Sequence, residues 1–410
     1  LMKLEYNKSI IALAIAGTNV MIGFGLFISF LPYYATLLGA SMGIQIGIIT
    51  SSFMIARGFL VIPFGKLSDK IGRKKLIVIG LMIYAISTIL FPIASDWTHV
   101  AVFRSLQGVG AAMFWPSSAA LIADLIKPGS RGTALSIFNT GVMLGLIIGP
   151  AFGGIIQYYG YNILGLSEIE SYKLPFYVGT LFAFISALIV IFFVKEKRQL
   201  QTNLIEPSSN KSIQIAKKFK STFNSLLALR FAHGFGLSFI QPVLAMYIYE
   251  VIGLDRVVAV LWLSSAFFLS GLCGSLIQFP IGRLADKGYR KQIIILGGIL
   301  SAIFTVAIPS TSIIILIVVI MGIRSACHGT LFPTISSTQE DLMPKKVRGK
   351  LTGITEAYWT AGAIIGPIVG FYVYEYNPAF PFYLSAILIV ITIAIYTRFG
   401  KDPKVTESEI

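Results

Sequence analysis

Twelve long apolar segments run through this chain, and they limit what it can fold into. A bilayer core about 30 Å thick needs roughly 20 helical residues to cross it. Because open backbone cannot face lipid, segments of this length must be helices. The sequence therefore predicts an all-α membrane protein with twelve transmembrane helices, near residues 10–38, 43–64, 76–95, 98–126, 133–158, 174–194, 222–249, 257–281, 292–309, 312–338, 350–374 and 379–398.

The composition excludes a soluble chain. Of the 410 residues, 55% are hydrophobic and only 12% are charged, whereas soluble domains carry about 25% charged residues. The net charge of +15 is divided among short clusters between apolar segments, which is typical of a polytopic membrane protein and not of a nucleic-acid-binding one. Cys273 and Cys327 both lie in apolar segments, so the sequence predicts neither a metal site nor a disulfide framework.

Basic residues collect at one set of span ends. Of the 33 lysines and arginines, only Lys173 and Arg256 fall in the loops on the opposite side. Cytoplasmic loops carry the excess of Lys and Arg, so we predict that both termini are cytoplasmic. Abundant Ile and Lys, together with compact loops, suggest a prokaryotic cytoplasmic membrane. The longest polar stretch divides the spans into two sets of six. We predict an N-terminal bundle over 1–194, a cytoplasmic linker over 195–220, a C-terminal bundle over 221–400 and a cytoplasmic tail over 401–410.

The two halves match at a fixed offset of 217 residues. The matching pairs are Gly65 and Gly282, Asp69 and Asp286, Pro116 and Pro333, Asp124 and Asp341, Arg131 and Arg348, Gly149 and Gly366, and Pro150 and Pro367. Two bundles of the same topology, related by a pseudo-two-fold axis along the membrane normal, are typical of transporters. A substrate would then bind between the halves near the membrane midplane.

Three motifs stand out within this repeat. The loop after span 2 reads GKLSDKIGRKK at 65–75, and its glycines permit a tight turn. Span 4 contains RSLQGVGAA at 104–112, which carries a buried arginine. Span 5 contains GLIIGPAFGG at 145–154, where glycines recur every fourth residue and give a smooth seam for helix packing. This helix-packing set comprises Gly141, Gly145, Gly149, Pro150, Gly153, Gly154, Gly366 and Pro367.

Together these motifs resemble the major facilitator superfamily, and the span 5 motif resembles its branch of 12-span drug:proton antiporters. The resemblance implies alternating access, export in exchange for protons, and a role for Arg104 in proton coupling. It also implies that the loop motif and related charges stabilise one state of the cycle: Gly65, Asp69, Gly72, Arg73, Asp124, Arg131, Asp286 and Arg348. Arg104 could instead only bond nearby carbonyls, and the glycines could serve packing alone.

Ionisable residues inside the spans are costly and suggest function. Glu356 is the acid that lies well within a span, and we predict that it either carries protons or pairs with an arginine, Arg57 or Arg230. His233 and His328 are further candidates for proton coupling, although each could be a satisfied core residue. The predicted substrate cavity contains Arg57, Asn139, Arg230, Arg324, Trp115, Tyr358, Trp359 and Gln241.

Four arginines against one glutamate favour a neutral, amphiphilic or anionic solute over a cationic one. The sequence contains no catalytic constellation, zinc motif or nucleotide-binding loop, so we predict a transporter and not an enzyme. No cofactor is expected beyond a proton gradient, and the expected partners are protons, a small-molecule substrate and the lipid bilayer. We expect a monomer that exports lipophilic compounds. An exporter or flippase for an anionic metabolite or lipid, and a solute:proton symporter, remain alternatives.

Overall fold

The structure is a computed structural model that describes residues 2–41, 43–126, 131–196, 220–343 and 348–400. Twelve helical spans in this part of the chain are long and apolar enough to cross a membrane, which confirms the predicted number. The helices are α1 (Met2–Ile28), α2 (Leu31–Leu37), α3 (Ile44–Ile71), α4 (Arg73–Leu90), α5 (Trp97–Leu125), α6 (Arg131–Asn162), α7 (Glu168–Phe193), α8 (Lys220–Glu250), α9 (Arg256–Leu276), α10 (Gln278–Asp286), α11 (Arg290–Ala307), α12 (Ile314–Gly329), α13 (Leu331–Leu342), α14 (Arg348–Tyr374) and α15 (Phe380–Phe399).

Three of the predicted spans are broken, and each break lies shortly before a proline. Helices α1, α9 and α12 end at Ile28, Leu276 and Gly329. A proline follows each of these residues by four positions, at Pro32, Pro280 and Pro333. Because proline has no N–H, it cannot bond the carbonyl four residues earlier, and its ring clashes there. The chain then restarts as α2, α10 and α13.

Helices α1–α7 form one unit, the N-bundle, and α8–α15 form a second, the C-bundle. In the N-bundle α1 packs chiefly on α6, and in the C-bundle α8 packs chiefly on α14. The two bundles meet mainly where α3 contacts α14 and where α6 contacts α9. Most of the predicted linker and the whole predicted tail lie outside the described residues.

The glycine repeat of α6 lies against α1. The carbonyl oxygens of Thr18 and Ile22 occupy the space that side chains at Gly145 and Gly149 would need. Gly141 and Gly153 face α1 in the same way, Pro150 contacts Gly25, and Gly154 faces Ser264 of the C-bundle. In α14, Gly366 packs on the carbonyl of Phe235, and the carbonyl of Pro367 lies against Gly47 of the N-bundle. Close approach of the two backbones is therefore possible only with glycine at these positions.

The bundles touch at one end and separate at the other. We call the end at which α7 ends and α8 begins the linker face, and the opposite end the distal face. From the distal face inward, Gly47 lies under Pro367, the Ser51 hydroxyl donates to the Ile364 carbonyl at 2.7 Å, and Gly58 meets Thr360. Closer to the linker face, a Cβ added at Gly65 or Gly353 would meet nothing within 4 Å. The described part of the molecule is therefore closed at the distal face and open at the linker face.

Candidate functional site

Glu356 lies between the two bundles. It is eight residues into α14, about 12 Å along the helix axis, and its side chain is exposed. Its carboxylate attracts the guanidinium groups of Arg57 on α3 and Arg230 on α8. Asn139, the residue of α6 that is related to Glu356 by the repeat, is exposed as well. Arg57 and Arg230 are the two arginines named from the sequence as alternative partners of Glu356, and Arg57 belongs to the other bundle.

Arg230 is held by polar groups of α13. Its Nε donates to Gln339 Oε1 at 3.1 Å, and its Nη2 donates to Ser336 Oγ at 2.5 Å. The guanidinium carbon lies 4.5 Å from the centre of the Phe332 ring, an attractive cation–π arrangement. Nη1 has no hydrogen-bond partner within the described residues. The sequence analysis did not select Ser336, Gln339 or Phe332.

His233 and His328 form a pair inside the C-bundle. Their ring centres are 4.2 Å apart with an interplanar angle of 36°. The side chains are only 6% and 4% exposed, and neither His233 Nδ1 nor His328 Nε2 has a partner in the part of the chain described. The positive charge of Arg324 acts on both rings. Arg324 lies on the same helix as His328. The spacing of the two histidines on α8 and α12 gave no indication that they meet.

Arg324 bonds to a threonine on the neighbouring helix, and the N-bundle contains a related contact. Arg324 Nε donates to Thr305 Oγ1 at 2.9 Å. In the N-bundle, Gln107 Nε2 donates to Thr88 Oγ1 at 2.9 Å. Both the donors and the acceptors are separated by the repeat offset of 217 residues. The repeat could therefore have identified Thr88 and Thr305 from the sequence.

Arg104 is enclosed within the N-bundle. It is 5% exposed, and its Nη1 donates to Gln107 Oε1 at 3.1 Å. The guanidinium carbon lies 4.9 Å from the ring centre of Phe53 and 5.2 Å from that of Phe24. Arg104 is therefore not part of the group formed by Glu356, Arg57 and Arg230.

The other predicted cavity residues are distributed along the inner helices. Trp115 is half-buried and packs edge-on against Phe138, with ring centres 5.9 Å apart. Tyr358 is 44% exposed. Trp359 is half-buried, and its Nε1 has no partner among the described residues. Gln241 is half-buried on α8, about 16 Å beyond Arg230 toward the distal face.

The charges of the loop motif form an ion-pair network at the linker face. Arg73 Nε lies 2.8 Å from Asp124 Oδ2, and Arg73 Nη2 lies 3.4 Å from Asp69 Oδ1. Glu196 accepts from the backbone N–H groups of Arg73 and Lys74 at 2.6 and 3.1 Å, and so caps α4. Gly72, between α3 and α4, has φ +103°, a conformation that favours glycine.

The C-bundle repeats the central pair of this network. Arg290 Nη1 lies 2.5 Å from Asp341 Oδ2, and both residues follow Arg73 and Asp124 by 217 positions. The sequence analysis did not select Arg290, although the offset would have found it. Asp286 is exposed and forms no ion pair with the residues that are described. The side chains of Arg131 and Arg348 lie outside the described residues.

Polar contacts join the bundles at the distal face. Arg256 Nη1 of the C-bundle lies 3.6 Å from Glu168 Oε1 of the N-bundle. The Tyr33 hydroxyl of α2 donates to the carbonyl of Ala245 on α8, and the backbone N–H of Ile44 donates to Glu375 Oε1 at 3.2 Å. These residues were not selected from the sequence, although Arg256 is one of two basic residues in the distal loops.

Comparisons with known proteins find similarity along nearly the whole chain. The family model described as Major Facilitator Superfamily matches residues 13–255 and 226–409. Multidrug resistance protein 2 of Bacillus subtilis (strain 168) is 25% identical over 417 residues, which cover 98% of this chain and 98% of the relative. Quinolone resistance protein NorA of Staphylococcus aureus (strain COL) is 23% identical over 385 residues, covering 92% of this chain and 93% of NorA.

A solved structure has the same fold. It is the crystal structure of a bacterial homologue of the human lysosomal transporter Spinster, in an inward-facing and occupied conformation. The TM-score is 0.77 with 16% sequence identity, and the match covers 96% of each chain. At this identity the likeness establishes the arrangement of helices and nothing about the substrate.

Proposed function

This chain belongs to the major facilitator superfamily, and from that premise we propose that it exports lipophilic compounds in exchange for protons by alternating access. The twelve helical spans make it a multi-pass membrane protein. The direction of transport is supported by the names of the relatives, which are a multidrug resistance protein and a quinolone resistance protein. The glycine-rich motif of α6, with its proline at Pro150, supports the same direction.

We assign the linker face to the cytoplasm because nearly all of the lysines and arginines lie there. Both termini are then cytoplasmic, and the open end of the molecule faces inward. A substrate would enter from the cytoplasm, or from the inner leaflet, and would leave after the distal contacts open. The chain would work as a monomer, since the two bundles of a single chain enclose a complete substrate site.

The observation that carries the proposal is the position of Glu356 between Arg57 of the N-bundle and Arg230 of its own bundle. Ionised Glu356 attracts Arg57 across the bundle interface. When the carboxylate binds a proton, this attraction disappears, and the bundles lose an electrostatic interaction that favours one relative position. Protonation of Glu356 would stabilise one state of the transporter more than the other. It would thereby shift the equilibrium between the two states. Glu356 is exposed to the space between the bundles, so a proton can reach it.

His233 and His328 are less suited to the same role. They lie close to each other and to Arg324, and a second positive charge at this position would be repelled. We therefore assign proton coupling to Glu356 and keep Arg104 as a residue that stabilises α5 against the aromatic side chains around it. No cofactor is required.

The test is ligand-driven proton movement in proteoliposomes with an imposed pH gradient. Wild type is compared with Glu356→Gln, and cationic, neutral and anionic lipophilic ligands are added in turn. We expect ligand-dependent proton flux in the wild type and its loss in Glu356→Gln. Glu170→Gln is the matched control, because Glu170 is an exposed acid at the distal surface whose ion pair among the described residues is with Lys173, at 3.2 Å. Undiminished flux in Glu356→Gln would exclude Glu356 as the coupling residue.

One alternative has its own support. Three arginines, Arg57, Arg230 and Arg324, lie between the bundles or inside the C-bundle, and the carboxylates that act on them are Glu356 and Glu340. This excess of positive charge suits an endogenous anionic metabolite or lipid. The same assay separates these cases by the charge class that drives proton flux. Proton flux in the same direction as the ligand would identify a symporter.

A further inference from the structure

Several buried side chains in the C-bundle have polar atoms without a hydrogen-bond partner among the described residues, and four of these side chains lie together. They are Arg230, His233, Arg324 and His328, which we call the donor cluster. Their exposed fractions are 4%, 6%, 4% and 4%. Arg230 Nη1, His233 Nδ1, Arg324 Nη2 and His328 Nε2 have no partner within the described residues. Buried polar groups are almost always bonded, and leaving one unbonded costs roughly 1–3 kcal/mol.

The four side chains form one group. The two imidazole rings are 4.2 Å apart, Arg230 and Arg324 both act on His233, and Arg324 acts on His328. Arg230 lies ten residues after the first residue of α8, and Arg324 ten residues after the first residue of α12, so each is about 15 Å from the start of its helix. This depth is close to the midplane, where transporters of this topology bind their substrates.

The donor cluster has little negative charge around it. Among the described residues, the carboxylates that act on it are those of Glu356 and Glu340, and both act on Arg230. The charge of Arg324 is met by the Thr305 hydroxyl, which is neutral. An anion placed against the free atoms of Arg324 and Arg230 would therefore be attracted and would also complete their hydrogen bonds.

The fold itself does not require these residues. At the offset of 217, Arg324 and His328 correspond to Gln107 and Ala111 of the N-bundle. At the offset of 211 that aligns the glycines of α8 with those of α1, Arg230 and His233 correspond to Asn19 and Ile22. The N-bundle therefore folds in the same way without a donor cluster, which points to a ligand and not to helix packing.

The edge of the donor cluster reaches an exposed aromatic surface. Phe332 contacts both Arg230 and His233, with 4.5 Å from the guanidinium carbon to its ring centre and 5.7 Å between the ring centres of His233 and Phe332. Phe332 is itself 44% exposed. A ligand could thus place an apolar body on Phe332 and a charged group against the arginines.

We infer that the donor cluster binds the carboxylate, or an equivalent anionic group, of an amphiphilic substrate. The inference rests on the proposed export of lipophilic compounds, and it specifies their charge class. Guanidinium groups suit this role because they present several donors in a planar fork that matches a carboxylate. A neutral imidazole has one N–H donor, so His233 and His328 can add donors where the tautomer places the proton on the free nitrogen.

The experiment measures binding of three pyrene ligands with the same ring and chain: pyrenebutyrate, pyrenebutanol and pyrenebutyltrimethylammonium. Purified protein in nanodiscs is titrated, and energy transfer from tryptophan to pyrene reports binding. We expect pyrenebutyrate to bind most tightly. Arg324→Gln should weaken pyrenebutyrate by about 10- to 100-fold, as expected for a lost hydrogen bond to a charged group, and should leave pyrenebutanol unchanged. Arg324→Lys, which keeps the charge, should recover part of the affinity.

Two controls test whether a weaker affinity results from a general loss of positive charge or from misfolding. Arg398→Gln removes one positive charge at the linker face, where Arg398 lies over the Phe399 ring, and should not alter the order of affinities. Thermal unfolding shows whether each variant is folded. If the Arg324→Gln protein is not folded, the His328→Gln protein is tested in its place. Nanodiscs with and without anionic phosphatidylglycerol, and competition by inorganic phosphate, distinguish a lipid headgroup or a small ion from an amphiphilic carboxylate.

The outcomes separate this inference from the proposed function. Equal affinity for all three ligands, or a preference for pyrenebutyrate that survives in folded Arg324→Gln and His328→Gln, would overturn the inference. Proton flux driven only by the cationic ligand would also overturn the inference, but it would still support proton-coupled export. Selective binding of pyrenebutyrate without proton flux would support the site and refute proton-coupled export.

Discussion

Arg256 and Glu168 meet at 3.6 Å across the distal face and connect the C-bundle to the N-bundle. Arg256 also lies over the ring of Tyr249, with 4.5 Å from its guanidinium carbon to the ring centre. Tyr249 in turn contacts Tyr33 of α2, with ring centres 6.0 Å apart. An ion pair, a cation–π contact and an aromatic contact are thus combined where the two bundles must separate if the distal face opens.

We predict that Glu168→Gln shifts the equilibrium toward opening at the distal face. The pair is partly exposed, and measured pairs of this kind contribute about 0.2–1 kcal/mol, so the population ratio should change by about 1.4- to 5-fold. Distances between spin labels on α2 and α9 would measure the shift. The exchanged pair, Glu168→Arg with Arg256→Glu, should restore the wild-type distribution, and a distribution unchanged by Glu168→Gln would contradict the role of this contact.

The ion pairs at the linker face give a second prediction. Because Arg73–Asp124 and Arg290–Asp341 are related by the repeat, we expect Asp341→Asn to reduce transport as strongly as Asp124→Asn does. Asp286→Asn should have a much smaller effect, since Asp286 is exposed. Transport rates in proteoliposomes at equal protein density would show this order. Equal losses in Asp286→Asn and Asp341→Asn would indicate a role for the loop that does not depend on its ion pair.

Two glycines of α6 form a matched test of packing. A side chain at Gly145 would collide with the carbonyl of Thr18, whereas at Gly132 it would meet nothing within 4 Å. We expect Gly145→Ala to lower the free energy of unfolding by about 1–3 kcal/mol, which is typical of overpacking. Gly132→Ala should be neutral or stabilising by up to about 1 kcal/mol, since alanine is the better helix former. Thermal unfolding of the two purified variants makes the comparison, and equal unfolding temperatures would count against the close approach of α1 and α6.

The two repeat-related threonines allow a comparison of charged and neutral donors. Thr305→Val removes the acceptor of Arg324, and Thr88→Val removes the acceptor of Gln107. Hydrogen bonds to charged groups contribute about 1.5–3 kcal/mol and neutral ones about 0.5–1.5 kcal/mol. Thr305→Val should therefore be the more destabilising change when unfolding temperatures are measured. A larger loss in Thr88→Val would show that Arg324 finds another acceptor.

Much of the fold could be predicted from the sequence because the relevant signals are local. Hydropathy marks each span, and the bilayer leaves the backbone of a span no alternative to helix formation. The offset of 217 residues identified corresponding positions in the two bundles, among them Asp124 and Asp341. The three helix breaks were missed, although each lies four residues before a proline, because hydropathy alone continues through them.

The site depended on packing that no local pattern records. Glu356, Arg57 and Arg230 come from three helices and two bundles, and only their arrangement in space brings the charges together. The same applies to His233 and His328. A sequence shows the face of a helix on which a residue lies, but not which helix covers that face.

The sequence by itself determined the number of spans, the internal repeat and the positions of the charged residues inside the membrane. The tertiary structure decided which of those charges face each other. It enclosed Arg104 among phenylalanines, exposed Glu356 between the bundles, and joined Arg256 to Glu168 at the distal face. The physical reason is that hydropathy depends on each residue alone, whereas electrostatic and hydrogen-bond partners depend on how helices distant in the chain pack together.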